Sequence, residues 1–419
     1  MKKITKIWTS MSLVLKIIIG LIIGALLGVF LPQATFVSIL GTLFVNALKA
    51  IAPILVAFLV MSALAKSKSG LGSRFRSVIS LYMISTFLAA IVAVLASFIF
   101  PITLVLQGTT DSTAPSNIKE IFENLLKNMV ANPLEALSSG NYLGVLFWAI
   151  FAGLVMKKIA SENTINVISD FSDVVSRIVT LIIQCAPFGI LGLVYSTVSE
   201  NGLGVFRTYG KLLAVLIGSM LVVSLIVDPL IAMIYLRKNP YPLAFKCLRE
   251  SGLTAFFTRS SAANIPVNMG LCKRLGLDQD FYSVAIPLGA TINMDGAAIT
   301  ITIMTLAAAH TMGVSVDLPT AILLSFTATL GACGASGVAG GSLLLIPMSC
   351  SLFGISSDIS MQVVALGFII GVVQDSVETA LNSSGDVLFA ATAEFHNRMK
   401  HGEKIDLSRK GLAEDKSVE

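Results

Sequence analysis

Charged residues are scarce in this chain. Lys, Arg, Asp and Glu make up 13% of its 419 residues, below the roughly 25% usual in soluble domains. Hydrophobic residues make up 55%, and the mean hydropathy is +0.85. These values exclude an ordinary soluble domain and predict an integral membrane protein. The net charge of +5 comes from Lys and Arg in short loops and near the ends, where they indicate topology rather than a nucleic-acid partner.

Cysteine and histidine are also few. Five cysteines, an odd number without a CxxC pair, lie in or beside apolar segments: Cys185, Cys247, Cys272, Cys333 and Cys350. We interpret them as small buried hydrophobic residues rather than disulfides or metal ligands. No spacing suits zinc, and no nucleophile, base and orienting group form a pattern. Neither enzyme activity nor an organic cofactor is therefore expected.

Long apolar runs dominate the first half of the chain. Each is long enough, at about 20 residues per crossing, for a membrane-spanning helix, whereas barrel strands would be about half that length. An all-α fold follows. The first run follows Lys2, Lys3 and Lys6 as in a secretory signal peptide, but it lacks a clear cleavage site, so we expect a retained helix. The six runs are 13–31, 37–65, 78–106, 142–159, 167–195 and 208–236.

The loops between these runs differ in charge. The loop after the second run contains Lys66, Lys68, Arg74 and Arg76 without an acid, whereas the loop 107–141 is mainly acidic. Basic loops stay in the cytoplasm. Both the N-terminus and the mixed-charge tail 394–419 are therefore predicted to be cytoplasmic.

Two later segments are interrupted by small and polar residues. Segment 243–273 has basic residues at both ends and "SGLTAFFTRSSAANIPVNMGL" at its centre, as expected for a re-entrant hairpin. Segment 318–354 contains "GACGASGVAGGS". They alternate with spans at 281–310 and 362–393. Eight spans with two re-entrant hairpins result. Paired interrupted segments in the two halves indicate the binding site of a secondary transporter, a class often built from inverted repeats.

The last span carries an unusual polar stretch, "VVQDSVETALNSSGDVLFA" at 372–390. Helical spacing puts its five principal polar residues on one narrow stripe: Asp375, Glu378, Thr379, Asn382 and Asp386. Each carboxylate at mid-membrane costs about 2.5–3.5 kcal/mol on insertion scales. Something must compensate this cost.

The preceding span contains "LGATINMDGAAIT" at 288–300, with Asn293 and Asp295 at mid-span. A helix–helix hydrogen bond is one interpretation. Asn382 and Asp386, together with carbonyls released wherever Gly296 or Gly385 lets a helix unwind, add further oxygens. An oxygen-only set suits a hard cation, and Na⁺ is the natural one.

The glycine-rich segment lacks the GK[ST] sequence of a nucleotide-binding loop. Close helix packing is the main alternative. We favour free backbone N–H groups at the tips of both hairpins that bind a carboxylate, beside Ser260 and Ser261 in the first. Lys49, in the second span, is interpreted as a snorkelling or interface lysine rather than a substrate ligand.

Four motifs together resemble the sodium:dicarboxylate (glutamate transporter-like) symporter family, especially its bacterial sodium:serine/threonine branch. They are "TRSSAANIP", "LGATINMDG", "GASGVAGG" and "DSVETALNSSGD". The resemblance covers nearly the whole chain. It implies that Asp375 binds the substrate ammonium and Asn382 its carboxylate, with Thr379 and the backbone at Ser261 and Val338 lining the pocket.

The resemblance also implies sodium sites. One uses Gly289, Asn293, Asn382 and Asp386, largely through carbonyls apart from the Asp386 carboxylate. A second uses Tyr82, Ser85, Thr86, Asn293 and Asp295, and the "YMIST" spacing fits it. A further position beneath the second hairpin would rely on carbonyls.

Two departures from the acidic-amino-acid carriers bear on the substrate. Glu378 stands where they have an arginine that pairs with the substrate side chain, and Ala297 replaces a threonine. Carboxylates repel, so a small neutral amino acid is favoured, with Glu378 or Thr379 bonding the hydroxyl of serine or threonine. Glu378 could instead attract a cationic side chain or be protonated. Alanine or acidic substrates, a channel and a receptor are the alternatives. Ala339 replaces a proline common among relatives.

The family architecture is a homotrimer with an elevator mechanism. It implies a scaffold from 1–77 and 107–207, a transport domain from 78–106 and 208–393, and the tail 394–419. A bacterial inner-membrane protein that imports its amino acid with Na⁺ is expected.

Overall fold

The computed structural model describes residues 11–66, 73–106, 130–335, 340–408 and 412, and the regular elements in these ranges are helical. The predicted all-α class is confirmed. The helices are α1 (Leu13–Phe30), α2 (Ser38–Lys66), α3 (Ser73–Ile99), α4 (Pro133–Ser139), α5 (Tyr142–Ile159), α6 (Glu162–Gln184), α7 (Ala186–Asn201), α8 (Val205–Val222), α9 (Asp228–Leu236), α10 (Tyr241–Cys247), α11 (Leu253–Thr258), α12 (Ser261–Arg274), α13 (Gln279–Ile292), α14 (Asp295–Thr311), α15 (Leu318–Ala332), α16 (Ile346–Cys350) and α17 (Ser357–Lys400).

Several of these helices are long and apolar enough to cross a bilayer. Within the described ranges there are five, or six if the bent pair α6–α7 counts as one, and α1 is apolar but shorter. A protein that crosses the membrane several times is therefore supported, while eight spans stay a prediction. The five helices, counted through short breaks, are Thr35–Lys66, Arg74–Ile99, Val205–Leu236, Gln279–Thr311 and Ser357–Lys400.

The fifth predicted span, 167–195, is not one straight helix. The chain bends by 54° between α6 and α7 at Cys185. Pro187 stands at the start of α7 and has no N–H to donate, so the helical ladder cannot continue through it. The run predicted as one span is thus a bent pair of helices in the structure.

The sixth predicted span has a π-helical turn, Val223–Val227, between α8 and α9. Pro229 lacks the N–H that would normally reach the carbonyl of Leu225. The hydroxyl of Tyr241 donates to that carbonyl at 3.2 Å instead. The turn sets the direction of Asp228 at the start of α9.

Glycines let the first helices approach closely. A Cβ on Gly24 of α1 would lie 2.4 Å from the carbonyl oxygen of Leu191 in α7. A Cβ on Gly192 would lie 2.3 Å from the backbone nitrogen of Gly41 in α2. Small residues at crossings are the usual device of membrane helices. Helices α1, α2, α5, α6 and α7 pack mainly on one another.

The chain reverses between α11 and α12 at Arg259, whose φ is 52°. The two arms lie side by side, because Arg274 donates to Glu250 at 2.8 Å and Asn264 donates to the Ser251 hydroxyl at 3.1 Å. Asn264 also donates to Ser383 of α17 at 2.7 Å. This helical hairpin is therefore attached to α17 through buried polar side chains.

A second reversal joins α15 to the segment that includes α16. A Cβ on Gly331 would lie 2.4 Å from the methyl carbon of Met348, so the two arms are in contact. Residues 336–339, which connect the two arms in sequence, lie outside the described ranges. Both reversals occur where the sequence predicts hairpins.

Arg74 at the start of α3 connects two distant parts of the chain. It donates to Asp278 at 2.8 Å and to Glu394, near the end of α17, at 3.0 Å. The hydrogen bond from Arg74 lowers the pKa of the Asp278 carboxyl below its ordinary value.

Candidate functional site

The predicted polar stripe of α17 lies in the protein interior. Asp375, Glu378, Thr379, Asn382 and Asp386 are each at most 5% exposed. A small cavity lies between the two hairpins, the start of α14 and this stripe. It is lined by Ser261, Met294, Ala335, Ser342, Asp375, Glu378, Thr379 and Asn382. The residues implied for the substrate, apart from Ser260 and the undescribed Val338, therefore converge on one cavity.

Asp375 is paired with an arginine that was not assigned a role from the sequence. The Nε and Nη2 atoms of Arg259 both lie 2.8 Å from its Oδ2 atom. The backbone N–H of Gly340, beyond the second tip, donates to its Oδ1 atom at 3.2 Å. One carboxylate thus contacts both hairpins. A carboxylate accepts up to about four hydrogen bonds, so it has capacity for an ammonium as well.

Glu378 faces neutral donors. Its Oε2 atom accepts from Thr300 at 2.7 Å, from Ser342 at 3.0 Å and from Gln374 at 2.5 Å. No hydrogen bond among the described residues uses its Oε1 atom. The carboxylate is held by three hydrogen bonds while one oxygen remains able to accept another.

Asn382 is fixed by the backbone. The N–H of Gly296 donates to its Oδ1 atom at 2.7 Å, and a Cβ on Gly296 would lie 2.8 Å from the Cα of Glu378. The Thr379 hydroxyl donates to the carbonyl of Asp375. Ser260 caps α12 by accepting from the N–H of Ala263, and Ser261 is 2% exposed.

The break between α13 and α14 falls at Asn293 and Met294, just before Gly296. The sequence also suggested that a helix could unwind at Gly385. That suggestion was wrong, because α17 runs through Gly385 without interruption. Because Gly385 has no side chain, Asn293 can instead lie close to the backbone of α17. A Cβ there would lie 2.8 Å from the Nδ2 atom of Asn293.

The residues implied for the first sodium site are in contact. Asn293 donates to the Asn382 carbonyl at 3.0 Å and to Asp386 Oδ1 at 3.1 Å. A Cβ on Gly289 would lie 2.8 Å from Asp386 Oδ1, although the Gly289 carbonyl already accepts from the N–H of Asn293. Tyr82, which the resemblance implies for the second site, contacts this first group, since its hydroxyl donates to the Asp386 carbonyl at 3.0 Å.

Two oxygens of this group have no hydrogen-bond partner in the described part of the chain: Asn293 Oδ1 and Asp386 Oδ2. Both residues are fully buried. Unpaired buried oxygens cost free energy, and a hard cation would satisfy them. The residues present therefore fit a sodium ion.

The second implied site contains Asp295, also fully buried. Thr86 donates to its Oδ1 atom at 2.8 Å, and Ser85 lies 2.6 Å from its Oδ2 atom. Ser85 also lies 2.8 Å from Asp228 of α9. Sequence reasoning missed Asp228, although a lone acid before a proline in an apolar run is a visible signal.

Comparisons with known proteins identify the family of this chain. The model of the sodium:dicarboxylate symporter family matches residues 13–394. The chain belongs to this family. It is 57% identical over 403 residues to the serine/threonine transporter SstT of Bifidobacterium adolescentis, covering 96% of this chain and 94% of that protein. It is 56% identical over 396 residues to the protein of that name from Streptococcus agalactiae serotype Ia, covering 94% of this chain and 98% of that protein.

Membership of the symporter family confirms the resemblance inferred from the four motifs. Family members and these relatives are named as transporters, so the prediction of a membrane transporter rather than an enzyme is also confirmed. The roles of the individual residues stay predictions.

Proposed function

We propose that this protein is a sodium-coupled symporter that imports small neutral amino acids, with serine and threonine preferred. The substrate class is inferred from one observation: the buried Glu378 carboxylate lines the same cavity as Asp375 and Asn382. A carboxylate there repels an acidic substrate side chain and accepts a hydrogen bond from a hydroxyl. The names of the similar proteins support the same substrates.

Each polar group of a bound amino acid has a proposed partner. The ammonium binds Asp375, whose charge and position are maintained by Arg259. The α-carboxylate binds the Asn382 amide and backbone N–H groups at the two hairpin tips, at Ser261 and Val338, with Ser260 beside them. The hydroxyl of serine or threonine donates to Glu378 Oε1 or bonds Thr379. Alanine lacks this last bond and should bind more weakly.

Sodium is the proposed second cargo. The buried oxygens of Asn293 and Asp386 form one site with Gly289 and Asn382, and Ser85, Thr86 and Asp295 form another with Tyr82 and Asn293. Asn382 joins the first sodium site and the substrate pocket. Because one residue serves both, binding of the ion favours the geometry that binds the amino acid, which couples the two.

The proposed architecture is that of the family: eight spans, two re-entrant hairpins with inverted repeats, and a homotrimer in the bacterial inner membrane with cytoplasmic termini. Residues 1–77 and 107–207 would form the scaffold. The transport domain, 78–106 and 208–393, would move across the bilayer with its cargo in an elevator mechanism, followed by the tail 394–419. The packing of α1, α2, α5, α6 and α7 on one another supports this division.

Uptake by proteoliposomes tests the proposal. Vesicles prepared without sodium receive radiolabelled serine and an inward Na⁺ gradient. Saturable accumulation that disappears when choline replaces Na⁺ is expected. A channel would give flux that does not saturate, and a receptor would give none. Competition by unlabelled threonine, alanine, aspartate and glutamate then ranks the substrates, and stronger competition by aspartate than by threonine would contradict the assigned class.

A further inference from the structure

Asp228 is a buried carboxylate outside the binding residues that the family resemblance implies. It stands at the first position of α9, directly after the π-helical turn, and is 2% exposed. Its Oδ1 atom lies 2.8 Å from the Ser85 hydroxyl. In the part of the chain that the structure describes, no Lys, Arg or His forms an ion pair with Asp228 or with Asp295.

The Ser85 hydroxyl lies between two carboxylates and has one hydrogen. It is 2.8 Å from Asp228 and 2.6 Å from Asp295. The Thr86 hydrogen points to the other oxygen of Asp295, since Thr86 itself accepts from the N–H of Met294 at 3.3 Å. One of the two short oxygen–oxygen contacts of Ser85 therefore has no hydrogen from a hydroxyl, and while both carboxylates are ionised it is repulsive unless a cation lies nearby.

We propose that Asp228 is a further sodium-binding carboxylate, which shares one Na⁺ with Ser85 and Asp295. A cation between these oxygens removes the repulsion at Ser85 and offsets part of the burial cost of two carboxylates. The oxygen-only set excludes a preference for soft metals. This inference rests on the proposed sodium coupling and assigns to that site a ligand from α9.

The position of Asp228 in the chain supports this role. Pro229 and the π-helical turn rotate the start of α9 relative to α8, and Tyr241 compensates the freed Leu225 carbonyl. A π-helical turn within a helix often marks a functional site. The backbone of α9 therefore positions Asp228 next to Ser85, and the contact does not depend on a flexible surface side chain.

The test compares Asp228→Asn with Asp170→Asn, which removes the same charge from an exposed position of α6. The purified full-length proteins are melted without amino acid at rising NaCl, with choline chloride keeping ionic strength constant. Asp228→Asn should melt at a higher temperature than the wild type in choline, because a buried charge is gone. The Na⁺ concentration for half of the stabilisation should rise about tenfold.

A purely structural Asp228 would instead make the variant less stable with and without sodium and leave the half-saturating Na⁺ concentration unchanged. That result overturns the inference. An equal rise of the half-saturating Na⁺ concentration in Asp170→Asn overturns it as well. If Asp228→Asn does not fold, Asp228→Ser is measured in the same way. A wild-type protein without any sodium-dependent stabilisation or uptake would contradict the proposed function itself, so the two failures are distinguishable.

Discussion

Arg259 contacts Asp375 through both Nε and Nη2, with each nitrogen 2.8 Å from the Oδ2 atom. The arginine lies at the turn between α11 and α12, and the aspartate lies on α17. Both side chains are largely buried, at 12% and 4% exposed. The proposed ammonium partner is thus also the partner of a buried guanidinium, and the two roles must be separated experimentally.

Asp375→Asn should abolish serine uptake. Removing one partner of a buried charge pair costs about 2–5 kcal/mol, so the affinity for serine should fall at least roughly thirtyfold, which removes uptake at serine concentrations near the wild-type KM. Uptake of radiolabelled serine in proteoliposomes measures this, with the amount of inserted protein determined in parallel. Normal uptake by this variant would contradict the assignment of Asp375 to the ammonium.

The double variant Arg259→Gln/Asp375→Asn separates the two roles. It removes the unpaired guanidinium that the single variant leaves behind. Serine uptake should stay lost, because the ammonium still has no carboxylate. Recovery of uptake in the double variant would show that Asp375 serves only to balance Arg259.

Glu378→Arg should weaken serine transport. An arginine cannot accept the substrate hydroxyl or the hydrogen bonds of Thr300, Ser342 and Gln374, and buried donors left unpaired cost about 1–3 kcal/mol each. The KM for serine should rise by roughly tenfold or more. Glu378→Gln is the matched control, since its amide oxygen still accepts, and it should change KM less. Equal, unchanged affinities in both variants would mean that residue 378 does not face the substrate.

Spacing along the chain was sufficient to predict what lies within one helix. The stripe from Asp375 to Asp386 follows from about 100° per residue, and burial of all its members agrees with it. The motifs likewise identified the family. The stripe and the motifs both depend on the spacing of neighbouring residues in the sequence. This spacing determines which side chains share a helix face.

Relations between helices were not accessible in this way. The pairing of Arg259 with Asp375 and of Asp228 with Ser85 depends on how distant segments cross, which helical periodicity does not encode. Local rules also failed at two points. Gly385 was expected to unwind its helix, but it instead makes room for Asn293, and Pro187 with Cys185 bends a run that looked continuous.

Gly385→Ala should impair sodium coupling. The added methyl would lie 2.8 Å from Asn293 Nδ2, so Asn293 must move away from Asp386. The Na⁺ concentration for half-maximal serine uptake should rise by roughly fivefold or more, as expected for the loss of about 1 kcal/mol or more. Gly371→Ala in the same helix is the control, because its nearest neighbour would be 4.0 Å away. Similar behaviour of the two variants would contradict a tight approach of Asn293.

Lys49 of α2 and Asp358 of α17 form an ion pair at 2.5 Å, with 39% and 83% of the side chains exposed. The contact agrees with an interface role for Lys49 rather than a substrate role. Exposed pairs contribute at most about 1 kcal/mol, so its loss alone should change stability little. The ion pair is informative because of its position: it joins the proposed scaffold to the proposed transport domain.

Cross-linking Lys49→Cys to Asp358→Cys with a short bifunctional maleimide should stop uptake, because an elevator movement must separate the two residues. The exposed Cys185 is first replaced by serine. Glu250→Cys with Arg274→Cys is the matched control, since this ion pair at 2.8 Å lies within the first hairpin and would move as one body. The control should retain uptake after equally complete cross-linking. Transport that continues with residues 49 and 358 joined would rule out relative motion at this contact.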